Sequence, residues 1–279
     1  MIPTIVADFR KKQSFPRTGE VDLFRNLADS IADHSHSIFI NETHGAKVCN
    51  VSFASATGKT EVCEIADLLI ISSSSHGQLR ATFWQAKRQV ASKWVSTTTG
   101  NEQFDFKGQF NQWDLLSRRP TIAGVGGFHP PPTLLASFDS ASIGSFGVFY
   151  QRGSLIEVNH SVAEFVACPN PTVKHPTMTI NGYLSKYYYS AEEIISRPTL
   201  TSFLEALFAH QVGAPLIATK SDHRWLVSYA RSKAAKAFGS NVDLRELDRF
   251  LNDIPPIDVD MNGPSDGLSV LIVNTANVA

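Results

Sequence analysis

Cysteine is scarce in this chain. Cys49, Cys63 and Cys168 are an odd set with no CxxC spacing. That argues against a disulfide framework or a thiolate zinc site and reads as a reduced, cytoplasmic protein with ordinary buried thiols. The nine histidines include no HxxxH pair, so a helical zinc site is not expected. No GxSxG is present, and no Ser/His/Asp set suggests itself. Charged residues are only 18% of the 279, against 43% hydrophobic, which excludes a disordered chain. The net charge of −1 gives no extended basic footprint for nucleic acid, although a local positive cleft stays compatible with it. No apolar run reaches membrane-spanning length, so no membrane partner is expected. At the N-terminus the short apolar run precedes the basic residues, the reverse of a secretory signal. There is no internal repeat.

What is present is concentrated in residues 64–89, EIADLLIISSSSHGQLRATFWQAKRQ. Ile65, Ala66, Leu68, Leu69, Ile70 and Ile71 surround one acid, Asp67, in a nearly continuous apolar run. Such a run marks a strand buried on both faces. A polar turn follows, then a second apolar strand that carries Gln85 and Lys87. Two residues apart on a strand, Gln85 and Lys87 point the same way. If the two strands pair, Asp67 lies beside them. A charge in such a setting is costly unless it is paired or metal-bound. One reading is therefore a divalent-cation site for phosphodiester cleavage. The structural alternative is a buried Asp67–Lys87 ion pair.

Around this core the periodicity predicts a helix over 18–33 and strands over 37–42, 47–54, 60–72 and 80–90. It predicts a loop over 92–101, a helix over 103–119 and a hairpin over 146–158. Later come a capping-box spacing at 190–193, helices over 201–212, 221–238 and 242–252, and a strand over 268–273. The expected fold class is α/β, a central mixed sheet flanked by helices, with a mainly helical C-terminal extension. The expected division is 1–157 and 158–279, the second part possessing no assigned role and being a candidate for the same domain. A P-loop is not expected at Thr57-Gly58-Lys59-Thr60, because the required earlier glycine falls at Phe53.

The order helix, strand, Asp67, Gln85-Ala86-Lys87, helix resembles the PD-(D/E)xK nuclease superfamily, and its Gln-x-Lys form is most similar to the Mrr-type branch. The resemblance covers roughly residues 18–119. It implies a restriction-endonuclease-like core and Mg²⁺, with Mn²⁺ able to substitute. It implies that Asp67, Gln85, the carbonyl of Ala86 and Glu20 hold the metal. Lys87 would stabilise or deprotonate the attacking water. Glu20 matches the acid of the family's first helix, with Asp22 as a rival. Gln85 departs from the usual acid. Glu64 is set aside on parity, since 64 and 67 face opposite ways on one continuous strand. The implied activity is a DNA endonuclease of restriction, phage defence or mobile-element processing. A partner ATPase or helicase and a homodimer are the implied associations. Candidate nucleic-acid contacts are Arg88, Lys93, Gln109, Gln112, Arg224 and Arg231, and Tyr187, Tyr188 and Tyr189 are candidates for base stacking. The alternative is a catalytically inactive subunit that binds nucleic acid or a partner protein.

Overall fold

Two neighbouring apolar strands set the frame. In the computed structural model, residues 1–13, 18–42, 49–89, 94–96, 102–188, 191–239, 243–251 and 267–275 are described. The chain begins with α1 (Ile2–Lys11), α2 (Glu20–His34), β1 (Ile38–Ile40), β2 (Asn50–Ala54), β3 (Thr60–Glu64), β4 (Leu68–Ser73) and β5 (Leu79–Gln89). It continues with β6 (Trp94–Ser96), β7 (Glu102–Lys107), α3 (Phe110–Arg118), β8 (Ile122–Val125), β9 (Gly144–Arg152) and β10 (Leu155–Val162). Then come β11 (Thr177–Asn181), β12 (Leu184–Tyr188), β13 (Ala191–Arg197), α4 (Leu200–Phe208) and β14 (Ala214–Pro215). It closes with α5 (Ser221–Phe238), α6 (Arg245–Leu251) and β15 (Ser269–Asn274).

The fold is α/β. A large mixed sheet runs β1-β15-β4-β5-β9-β10-β13-β12, with β14 added beside β5. The β15/β4 and β5/β9 pairs are parallel. Leu68, Ile70, Trp84 and Ala86 face the layer formed by α1, α2 and α4. Leu69, Ile71, Ala81 and Phe83 face the opposite layer, which α3, α5 and α6 share with two three-stranded sheets, β11-β7-β6 and β3-β2-β8. Both faces of the central strands are therefore buried, which is why they read as unbroken apolar runs. Trp84 fixes β5 on the helical layer. Its ring meets Phe149 edge-on and Phe203 face-on, and its Nε1 donates to His160 Nδ1 at 3.3 Å. Gly147 makes that approach possible, since a Cβ there would lie 1.6 Å from the indole.

Several expectations change. The run over 60–72 is two strands in different sheets, β3 and β4, broken at 65–67 where the chain crosses between layers. The helix expected over 103–119 is a strand, β7, followed by α3. Phe104 and Phe106 alternate inward with period two, and Gly108 packs on Met178, where a Cβ would collide at 2.4 Å. Instead of a helix after the capping-box spacing, residues 191–197 form β13, and the true capping box is Thr199 with Ser202 at the start of α4. Ser190 lies outside the described residues. So does most of the expected 92–101 loop, apart from β6. Helix α1 was not expected, although Ile2, Ile5, Val6 and Phe9 fall at helical spacing behind a first-turn proline. The hairpin β9/β10 and helices α2, α4, α5 and α6 agree with the periodicity.

The 157/158 division falls inside β10, and the central sheet takes strands from both sides of it. Residues beyond 157 contribute α4, α5 and α6 but also β11 to β15, so that region is mixed and not mainly helical.

Candidate metal and phosphodiester site

The site is built by strand register. Leu68 pairs with Trp84, so Asp67 lies one step before β4 and opposite Gln85. Trp84 and Ala86 turn to the helices, while Gln85 and Lys87 share the other face with Phe83. Asp67 Oδ2 accepts from the Gln85 amide nitrogen, and from the Ala86 backbone N–H at 2.7 Å. Among the described residues, the buried Gln85 carbonyl oxygen has no hydrogen-bond partner. Lys87 Nζ donates to the Ala86 carbonyl at 2.7 Å and to Glu20 Oε1 at 3.2 Å. The other Glu20 oxygen accepts from Arg88 N at 3.1 Å. Glu20 is the first residue of α2, where an acid suits the positive end of the helix dipole. Two contacts thus tie the start of α2 to the end of β5.

The sequence therefore brings together Asp67, Gln85, Ala86, Lys87 and Glu20. It does not bring Lys87 to Asp67 as an ion pair, because the described partner of Lys87 is Glu20. Asp67 is instead a buried acid whose immediate partners are neutral. Burial pushes its carboxyl up to about 8. Lys87 and the Ala86 N–H oppose that rise, and Glu64 and Glu20 add to it. Glu64, set aside on the parity of a continuous strand, ends β3 and raises the Asp67 pKa through its charge. The parity argument assumed one continuous strand, and the break at 65–67 cancels it. Its charge acts on Asp67 and also on Cys63, whose thiol burial and nearby Glu64, Asp114 and Glu61 push up to about 12. That thiol is inert as a nucleophile.

The donor set fits a hard cation in kind. It offers a carboxylate, an amide oxygen lacking a partner and a backbone carbonyl, all oxygens of the type that Mg²⁺ prefers. A buried acid with a raised pKa gains from a neighbouring positive charge. Among the described residues, no three His, Cys, Asp or Glu side chains are grouped to hold a metal. Only amide and backbone oxygens would complete such a site.

The expected nucleic-acid contacts are scattered. Arg88 is half-buried, and one guanidinium nitrogen donates to the Thr18 carbonyl at 3.2 Å. Lys93 lies outside the described residues. Gln109 is exposed at the N-cap of α3, whereas Gln112 is buried. Arg224 is half-buried on α5, and Arg231 pairs with Asp248. On the same helix His223 and Lys233 are buried, and Lys233 pairs with Glu42 at 2.6 Å. Among the described residues no helix is long and apolar enough to cross a membrane.

Comparison with protein-family models, characterised proteins and solved structures found no match to this chain.

Proposed function

We propose that the chain is a Mg²⁺-dependent phosphodiesterase that cuts DNA, with Asp67, Gln85 and the Ala86 carbonyl as the cation's protein ligands. The observation that carries this reading is Gln85. Its nitrogen is spent on Asp67, and its oxygen is buried without a partner. A buried acceptor in that state costs about 1–3 kcal/mol, and a cation would offset that cost. When bound, Mg²⁺ would supply Lewis-acid charge to the phosphoryl group and ease ionisation of the attacking water. Asp67 would supply the negative charge that holds it. Lys87 brings a fixed ammonium to the face where negative charge develops during cleavage. Glu20 and the Ala86 carbonyl aim that ammonium. Both Glu20 oxygens are engaged, by Lys87 and by the Arg88 N–H, so its part is positioning, whereas the Ala86 carbonyl takes one bond from Lys87 and keeps a second lone pair for the cation. Endonucleolytic attack in restriction, phage defence or mobile-element processing is the setting proposed by resemblance.

The test is incubation with plasmid and linear DNA in Mg²⁺, Mn²⁺ or EDTA. Metal-dependent cutting abolished by Asp67→Asn and by Lys87→Met is the expected result. Cutting that survives both changes removes this site from consideration. A second reading, an inactive subunit that binds nucleic acid, is favoured by the Glu20–Lys87 pair, which neutralises the lysine without any cation. Binding without cutting under every metal would select it.

A further inference from the structure

The edge strand β12 carries what the catalytic reading leaves unused. It is the last strand of the central sheet and has no strand on its outer side among the described residues. Two tyrosines of this segment stand out in solvent, Tyr183 at 68% and Tyr187 at 73% exposure. They are four residues apart, Tyr183 in the bend that leads into β12 and Tyr187 within the strand. The Arg197 guanidinium lies 5.8 Å from the centre of the Tyr183 ring. It is held there by the carbonyls of Leu184 at 3.1 Å and Ser196 at 2.8 Å. Lys186, next to Tyr187 in the strand and therefore on its opposite face, is exposed. One acid nearby, Glu192, acts on Arg197 through its charge. Glu192, opposite Tyr187, accepts from Gln211 at 3.0 Å, and Glu193, opposite Lys186, is buried against Ser140 and Ser142.

Leaving two large rings in water is unfavourable, and an exposed edge is normally blunted. Aromatic faces interleaved with cations suit one ligand chemistry well, unstacked bases on a phosphate backbone. We infer that the 183–187 edge binds single-stranded nucleic acid, with Tyr183 and Tyr187 stacking on bases and Lys186 and Arg197 meeting phosphates. This deepens the proposed function and rests on its nucleic-acid substrate. A duplex buries its base faces and gains nothing from the rings.

Fluorescence anisotropy of the full chain in EDTA tests it, with labelled oligothymidylate and a labelled duplex as probes. Tyr183→Ala and Tyr187→Ala should each weaken oligothymidylate binding about tenfold while duplex binding stays unchanged. Tyr183→Phe and Tyr187→Phe should keep wild-type binding, because the ring is retained. Lys186→Ala should flatten the salt dependence by somewhat under one ion. Absence of oligothymidylate binding by the wild type, wild-type binding by both alanine variants, or equal losses on the duplex would overturn the inference. Altered sedimentation of the alanine variants with unaltered binding would overturn it as well, and would assign the edge to self-association. Failure of the nuclease reading looks different. There, tyrosine-dependent binding persists while neither Mg²⁺ nor Mn²⁺ produces cleavage by the wild type.

Discussion

Both ends of β5 carry buried charge, and they handle it in opposite ways. At the entry, Arg80 donates to the Gly213 carbonyl at 2.7 Å and faces Glu193 at 3.5 Å. One Glu193 oxygen also takes the hydroxyls of Ser140 and Ser142. Burial lowers the Arg80 pKa, and Glu193 works against that shift. Cation and acid are both enclosed and face each other. At the exit, the buried acid Asp67 has only neutral partners, while the cation Lys87 pairs with the partly exposed Glu20. The first arrangement closes a structure. The second leaves an acid with a raised pKa among neutral partners, with the nearest lysine paired to another acid.

The sharpest way to break this contrast is at the closed end. Glu193→Ala strands a buried guanidinium and should cost about 3–5 kcal/mol in urea unfolding. A loss below about 1 kcal/mol would show that the two ends do not differ. At the open end, Asp67→Asn should lower metal-dependent cleavage at least about 100-fold. Its melting temperature without metal should equal or exceed that of the wild type, and a sharp fall would recast Asp67 as structural.

Acidity distinguishes the ends more gently. The unfolded chain loses the Asp67 proton near the usual 3.8, whereas the folded chain keeps it to about 8. Between those values the unfolded state binds fewer protons, so stability without metal falls as pH rises and levels off above about 8. Asp67→Asn should remove that part of the slope. Added Mg²⁺ should displace the proton, so its stabilising effect should grow toward pH 8. A wild-type slope identical to that of the variant would contradict the raised pKa. The smallest effect should come from Glu20→Gln. Its pair with Lys87 is partly exposed and contributes about 1 kcal/mol or less. A melt shows that change as slight, and cleavage should fall further than stability does, because the ammonium loses its aim.

Legibility in the sequence followed the range of the interactions. β4 and β5 were readable because strands buried on both faces write apolar runs, and the short SSSSHGQ link left antiparallel pairing as the simple outcome. Asp67 opposite Gln85 follows from that pairing. The helical stripes of α2, α4 and α5 were readable for the same local reason. The β7 segment is ambiguous in sequence, because Phe106 and Phe110 fit a helical stripe while Phe104 and Phe106 fit a strand. Gly108 against Met178 decided between them, and that contact is not local.

Residue types and their alternation settled that this chain has a buried sheet and that one acid, one amide and one lysine sit near each other on it. Only tertiary structure decided who partners whom. It inserted β15 between β1 and β4, brought Glu193 to Arg80, and turned Lys87 toward Glu20 instead of Asp67. The physical reason is that periodicity records which face a side chain buries. The cost of burying a charge depends on what the rest of the chain places against that face.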